Sequence, residues 1–216
     1  GAITDITNLE AANLVTTGTV TLTAETGIGS AGAAADIDTT IGTLVATNNT
    51  SGNIVVQETD TLVIGGTGVR TLAGNGNINL DVDAGNLTVD SVVTAHGSGT
   101  VTLNADAGTI DLNAVVSSTT GAILITGDVI TQDADITTGG AGTVTLTADT
   151  GAITMADLTT TTSGTGTIDY SAATDVALSL LTSTSGDINV TAGSGASVVG
   201  AITDITNLEA ANLVTT

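Results

Sequence analysis

The amino-acid sequence predicts an all-β fold, a right-handed parallel β-helix (β-solenoid) with three strands per coil. Three observations support this prediction: a short strand motif recurs along the chain, a long segment is repeated without change, and β-branched residues are abundant. Val, Ile and Thr suit the pleated, half-buried surface of a sheet. The chain contains no Pro, so every backbone donor of a strand ladder is available.

The long repeat has a period of 199 residues. Residues 1–17 have the sequence GAITDITNLEAANLVTT, and residues 200–216 have the same sequence without a single substitution. Chance does not produce an identity of this length. We therefore expect residues 1–216 to form a single β-solenoid segment, in which 1–17 and 200–216 are the same part of successive 199-residue tandem repeats.

A shorter repeat lies within the long one and supplies the first strand of each coil. Its pattern is Gly-x-(Val/Ile)-x-(Leu/Val/Ile/Tyr), and it begins at Gly18, Gly52, Gly76, Gly99, Gly121, Gly142, Gly166 and Gly186. Because side chains alternate along a strand, the second and fourth residues after each Gly share one face, and all of them are apolar or Tyr170. The positions between them carry mainly Thr, Asn and Asp. These motifs predict about eight coils of roughly 25 residues per long repeat.

Two further strands complete each coil. Second strands follow the glycines Gly85, Gly108 and Gly151, and third strands are predicted around 92–93, 115–116 and 136. Three strands and three turns enclose a roughly triangular section, and each strand pairs with its equivalent in the next coil about 4.8 Å away. Parallel crossovers are overwhelmingly right-handed, which predicts the hand of the helix.

Two coils are longer than the others, and we expect them to form loops on an otherwise smooth rod. One contains residues 28–49, with an Ala-rich stretch and a second strand start at Gly42. The other contains the duplicated sequence ITDITNLEAANL, where residues 207–212 have helical character.

The run GTVTLTAETGIGSAG, followed by DIDTTIGTLVATNNTSGNIVVQETDTLVIG, resembles the repeats of filamentous-haemagglutinin-like giant adhesins. The Gly-x-Val-x-Leu coil pattern extends this resemblance over nearly the whole chain. The resemblance implies a very long exported bacterial β-helix, located outside the cell or at its surface, with a fibre-forming or adhesive role.

The charge is strongly acidic, with a formal net charge of −21 and a single cationic side chain, Arg70. Such a surface repels phosphate backbones and anionic membranes, so we expect no nucleic-acid partner and no membrane insertion. There is no Cys, which excludes disulfides and thiolate metal sites. The same charge keeps neighbouring rods apart unless divalent cations screen it.

A row of acidic residues occupies the seventh position after the coil Gly. It comprises Asp83, Asp106, Asp128 and Asp149, with Glu25 in an oversized coil. One interpretation is a ladder that holds Ca²⁺ or other hard cations, which prefer oxygen ligands. The other, which we favour, is that each Asp bonds the backbone of its own turn and faces water. We therefore assign no metal-binding residue and no cofactor.

The sequence offers no catalytic constellation. The i, i+2 carboxylate pairs at 36/38, 81/83 and 133/135 share a face only if they lie in strands, and such pairs arise by chance among 22 acidic residues. His96 has no second His and no Cys to form a metal site, so we expect it in a surface turn. The Thr-x-Thr pairs at 21/23 and 145/147 are separated by coils without them, which argues against an ice-binding array. We predict that the protein is not an enzyme.

These observations lead to a structural interpretation. The sequence predicts an extracellular filament or adhesin stalk built from tandem β-helical repeats, in which adjacent copies stack end to end and each repeat extends the rod by about 38 Å. The alternative is an adhesive module that recognises a glycan or a surface through the oversized coils.

Overall fold

The computed structural model is a stack of parallel strands that wind about one axis. It describes residues 1–6, 11–30, 35–195, 199–205 and 212–215, and all of the regular structure in these ranges is β-strand. This confirms the predicted fold class, a parallel β-helix with three strands per coil and about eight turns. Within the same ranges, no helix has the length and apolar character needed to cross a membrane.

The stack begins with two long strands, β1 (Leu14–Ala24) and β2 (Ile37–Asn48), which pair in parallel. The first side of the triangle, side A, continues the stack through the strands that follow the coil glycines. These are β3 (Ile54–Glu58), β5 (Ile78–Val82), β8 (Val101–Ala105), β11 (Ile123–Gly127), β14 (Val144–Ala148), β17 (Ile168–Ala172) and β20 (Ile188–Ala192).

The second side, side B, starts with the first half of β4 (Leu62–Thr71). It continues through β6 (Leu87–Val89), β9 (Thr109–Leu112), β12 (Val129–Gln132), β15 (Ile153–Met155), β18 (Val176–Leu178) and β21 (Ile202–Asp204). Side C starts with the second half of β4. It continues through β7 (Val93–Ala95), β10 (Val116–Ser118), β13 (Ile136–Thr138), β16 (Thr160–Ser163), β19 (Leu180–Ser183) and β22 (Leu213–Thr215).

The register matches the sequence motif on side A. Ile54, Ile78 and Val101 lie directly over one another, and the second positions of the later motifs continue the column to Ile188. Burial alternates as predicted: in β5 the side chains of residues 78, 80 and 82 are buried, whereas Asn79 and Asp81 are half-buried on the outer surface. The alternation arises because successive side chains of a strand point to opposite faces.

The core is a thin column of aliphatic side chains that runs along the axis. Tyr170 is the largest fully buried side chain, which confirms the inward position predicted for it. Because each coil buries its apolar face mainly against its two neighbours, the fold is quasi-one-dimensional and grows by adding coils.

One sequence-based assignment was wrong. Gly18 was expected to open the first coil on the same side as the other seven motifs, but Val20 pairs with Leu44 and Ala24 pairs with Asn48. Leu44 belongs to side B and Asn48 to side C, since their next partners lie in the two halves of β4. The motif after Gly18 therefore lies one side earlier than its equivalents, because residues 28–49 add more than one full turn before Gly52.

The first oversized coil is explained by an insertion within side A. Ile28 pairs with Ile54, and Ile37 pairs with Val56, so the residues between them leave the strand and rejoin it. Gly42, predicted to be a second start, lies inside the continuous strand β2. The predicted helical turn at 207–212 lies mostly outside the described residues, as do residues 31–34 of the Ala-rich stretch.

Candidate functional site

The corner between side C and side A contains a column of glycines. Each glycine is packed against the carbonyl group of the equivalent residue in the preceding coil, so closely that a Cβ atom would overlap it. The column comprises Gly52, Gly76, Gly99, Gly121, Gly142, Gly166 and Gly186. Here Gly is required for close approach of backbones. The coil motif is therefore a packing requirement between coils, which the repeat in the sequence revealed without showing its cause.

Buried hydroxyl groups line the same corner just before the glycines. The Ser118 Oγ atom donates to the Gly99 carbonyl at 2.7 Å and accepts from the Gly121 N–H at 2.9 Å. Ser183 makes the equivalent bonds to Gly166 O and from Gly186 N. The full ladder of inward polar side chains, interrupted by an alanine, is Asn48, Thr71, Ser118, Thr138, Ser163 and Ser183. These side chains satisfy buried backbone groups that the turn leaves without strand partners.

A polar network lies inside the column where only apolar side chains were expected. The Tyr170 hydroxyl donates to Gln132 Oε1 at 2.6 Å and lies 2.7 Å from Thr161 Oγ1, while Gln132 Nε2 donates to Thr161 Oγ1 at 3.0 Å. All three side chains are buried. The hydrogen bonds connect three strands from sides A, B and C, which pins the coils in register.

Glu58 is a second buried polar group that the sequence did not reveal. Its carboxylate accepts hydrogen bonds from Thr39 Oγ1 at 2.6 Å and from the Ile41 N–H at 3.1 Å. Burial raises the pKa of Glu58, and these hydrogen bonds only partly offset that effect. The carboxylate ties β3 to β2 beneath the oversized coil.

The predicted acidic row is broken into two pairs. Asp106 N–H bonds the Val82 carbonyl, so Asp106 lies over Asp83, and Asp149 N–H bonds the Gly127 carbonyl, so Asp149 lies over Asp128. Asp128 N–H instead bonds Gly108 O, beyond the position of Asp106. The break arises because β11 and β12 are separated by one residue, whereas three residues separate β8 from β9. A continuous four-coil cation ladder is therefore not formed.

Three carboxylates do converge on the outer surface of side A. Oxygen atoms of Asp81, Asp83 and Asp106 lie within 4.8 Å of one another. Asn104 Nδ2 donates to Asp81 at 2.8 Å, and Gln57 Nε2 donates to Asp83 at 2.8 Å. Burial, followed by the charges of Asp106 and Asp83, raises the pKa of Asp81 against the hydrogen bond from Asn104.

We call these five side chains the acidic cluster. Its oxygens are the type that hard divalent cations accept, while the two amides already provide donors that reduce the repulsion. Elsewhere, Asn and Asp side chains cap the next coil: Asn53 accepts from Asn77 N–H at 2.9 Å, and Asn77 accepts from Thr100 N–H at 2.9 Å. Such caps support the interpretation of outward Asx residues as structural.

The other polar candidates do not assemble into a site. His96 is exposed in a turn, with Nδ1 2.7 Å from the Gly74 carbonyl, which confirms the predicted surface position. Asp133 and Asp135 lie in the corner between β12 and β13 rather than in a strand, so the condition for their sharing a face fails. Thr145 and Thr147 align with Leu124 and Thr126 on one neighbouring strand, which confirms that the Thr rank is broken.

A shallow depression of about 280 Å³ lies beside the first oversized coil. It occupies the register shift between residues 16 and 19 of β1, where the strand separates from β2. Its lining residues are Thr16, Thr17, Thr40, Ile41, Gly42, Asp60 and Thr61. The hydroxyls and the single carboxylate could hydrogen-bond a polar ligand, but the lining has no aromatic side chain on which a sugar ring could stack.

Comparison with known proteins adds no relative. No family model, no curated protein and no solved structure matches the chain. The interpretation of function therefore depends on the geometry of the coil stack and on the repeated segment.

Proposed function

We propose that the protein is a structural filament or adhesin stalk, built from tandem β-helical repeats and located outside the cell. The observation that carries the proposal is the placement of the two identical segments. Ile3 pairs with Ile28 in the coil that follows it, and its copy Ile202 pairs with Val176 in the coil that precedes it. One sequence can thus pair in both axial directions, which is what a junction between repeats requires.

Continuous stacking explains how such a chain would act mechanically. The outer edges of β20, β21 and β22 have no strand above them in the part of the chain described. Exposed edges of this kind template pairing with another chain, and a covalently attached next copy would cover them. Hydrogen bonds and apolar contacts then run without interruption along the axis, which makes the rod stiff.

The acidic coat and the glycine-rich corners fit this role better than a catalytic one. The net charge of −21 keeps parallel rods apart, while divalent cations at sites such as the acidic cluster would reduce that repulsion and let rods associate. The resemblance to filamentous-haemagglutinin-like repeats supports an exported, surface-attached rod. Its partners are then the adjacent copies and, under divalent cations, neighbouring filaments.

The test is to measure length against copy number. Chains with one, two and four copies of the 199-residue unit should form rods of constant width whose length increases by about 40 Å per copy, from the strand spacing of ~4.8 Å. Globules whose diameter increases with copy number would contradict the proposal. Antibody labelling of intact source cells tests the location separately, since an intracellular rod would remain unlabelled.

The depression beside the oversized coil favours one alternative, an adhesive module for a glycan or a surface. Asp60→Ala with Thr40→Ala removes polar groups from its lining without touching the core columns. If the module is adhesive, this variant should lose attachment while filaments persist. The pair Asp133→Ala and Thr137→Ala, on another part of the surface, serves as the control.

A further inference from the structure

We infer that each 199-residue repeat advances the β-helix by eight coils and one additional side, so that successive repeats are rotated by one third of a turn. The inference rests on the proposed tandem rod and specifies how the surface of one copy meets the next. The partner of the open end is the following copy of this chain, seated one side further round than its predecessor.

The two glycines that open the repeated segment show the shift. Gly1 lies in the corner before side A, where its carbonyl accepts hydrogen bonds from the N–H groups of Glu25 and Thr26, and Thr26 in turn lies against Gly52. Its copy, Gly200, lies against Thr174, which precedes β18 on side B. The same residue therefore occupies the corner before side A at one end and the corner before side B at the other.

The strands of the repeated segment shift in the same direction. Ile3 stacks on side A under Ile28 and Ile54, whereas Ile202 stacks on side B over Val176. Residues 14–16 pair with 39–41, where β2 passes from side A to side B. Their copies, residues 213–215, pair with 181–183 on side C. Each landmark moves by one side, so the offset belongs to the whole segment.

Gly18 gives an independent argument from packing. At its own position nothing requires a glycine, because the nearest atom to an added Cβ would be Thr16 Oγ1 at 3.4 Å. Yet Gly18 opens the same motif as the seven glycines of the column. In a tandem chain, residues 213–215 end side C, and the next corner leads to side A above Gly186. The following copy's Gly18 enters that corner and extends the column.

The side chains that follow are also matched to this seat. β20 offers Ile188, Val190 and Ala192 along its inner face, each partly buried at the open end. The following copy would place Val20, Leu22 and Ala24 over them, the same apolar–apolar–small order by which β14 stacks on β17. Thr215, over Ser183, would extend the buried hydroxyl ladder at the same corner.

The count of coils gives the dimensions. From Ile3 to Ile188 the stacked positions on side A are 3, 28, 54, 78, 101, 123, 144, 168 and 188, which is eight steps. Fourteen further residues, 202 minus 188, lead to Ile202 on side B. Eight and one third coils at ~4.8 Å give a rise of about 40 Å, and three repeats return to the starting side after 25 coils, about 120 Å.

The rotation determines how the rod presents its surface. The acidic cluster lies on side A of this copy, and the next two copies would carry theirs on sides B and C. A surface group is then displayed toward all three directions about every 40 Å along the axis. Neighbouring rods can therefore be bridged by cations from any direction, whereas repeats of eight whole coils would place all clusters on one stripe.

Electron cryo-microscopy with helical reconstruction tests the inference directly. The sample is the native filament or, if no native filament exists, a chain with four copies of the 199-residue unit, so that failure of the proposed function does not prevent the measurement. We expect a rotation of about 120° per rise of about 40 Å. A rotation near 0° per repeat would overturn the inference while leaving the tandem rod intact.

A glycine substitution gives a second, local readout in a two-copy chain. Gly18→Ala in the first copy should leave the unfolding midpoint unchanged, because an added Cβ has room there. The same change in the second copy should lower the midpoint as much as Gly99→Ala does, because that Gly18 would lie in the column. Equal, negligible effects in both copies would contradict the one-side shift.

Discussion

The glycine column predicts a large effect from a very small substitution, Gly99→Ala. The added Cβ atom would lie 2.9 Å from the Gly76 carbonyl carbon and 3.1 Å from the His96 carbonyl oxygen, and closer still to the Gly76 oxygen. Ordinary contact begins at 3.4 Å, so the backbones must separate by at least 0.5 Å, the difference from 2.9 Å. No flexible side chain can absorb that movement, since these atoms belong to the main chain.

The magnitude follows from two opposing effects. Overpacking against a rigid neighbour costs about 1–3 kcal/mol, and the upper end applies because hydrogen bonds of 2.8 and 2.9 Å hold the coils together on either side of Gly99. Replacing Gly by Ala also restricts the unfolded chain and returns about 0.4–1 kcal/mol. We expect a net loss of about 2 kcal/mol in the free energy of unfolding.

Urea denaturation followed by far-ultraviolet circular dichroism measures this loss. The control is Gly18→Ala, which makes the same chemical change in a strand where the nearest atom lies at 3.4 Å. Gly99→Ala should have a lower unfolding midpoint than the parent chain, and Gly18→Ala should match the parent or exceed it slightly. Equal midpoints for the two variants would refute the argument that coil spacing demands glycine.

Three further predictions concern the polar groups. Tyr170→Phe removes the hydroxyl that bonds Gln132 and should lower the free energy of unfolding by about 1–2 kcal/mol, as measured by urea denaturation; an unchanged midpoint would mean that the network does not hold the coils in register. Asp81→Asn should raise stability by up to about 1 kcal/mol and make it less dependent on added salt, because it removes repulsion from Asp83 and Asp106. Glu58 has a raised pKa in the folded state, so the folded protein binds its proton more tightly than the unfolded chain, and stability should rise as the pH falls through that folded-state pKa. Glu58→Gln should reduce this pH dependence, and thermal unfolding across acidic pH would show whether the slope persists.

The side A strands could be predicted from sequence because two physical rules coincide there. Alternation of buried and exposed side chains identified residues such as Ile78 and Leu80 as inward, and the close approach of backbones fixed the glycine before each strand. Both signals repeat with every coil, so stacking amplifies them. Sides B and C were predicted less closely because their strands have only three or four residues after β4 and their turns vary in length.

The features that escaped prediction depend on neighbours that are distant in sequence. Glu58 and Gln132 are buried because partners such as Thr39 and Thr161 lie opposite them in adjacent coils. Nothing in the local pattern distinguishes these two side chains from exposed polar residues. The break in the acidic row at Asp128 likewise depends on the length of one turn relative to the turn below it.

The assignment of Gly18 shows a related limit. The motif after Gly18 is a good match to its equivalents, and only the number of turns between it and Gly52 reveals that it lies on another side. Counting motifs gives the number of strands of one kind, whereas the rotation of the chain depends on every insertion in between. For this reason the 199-residue period does not correspond to a whole number of coils.

The central claim is that the protein extends a covalent rod, and electron cryo-microscopy of the native material tests it most directly. Continuous thin filaments with an axial spacing near 4.8 Å and a longer period near 40 Å are expected from strand stacking in tandem repeats. Short discrete particles, or fibres without the strand spacing along their axis, would contradict the tandem-rod account.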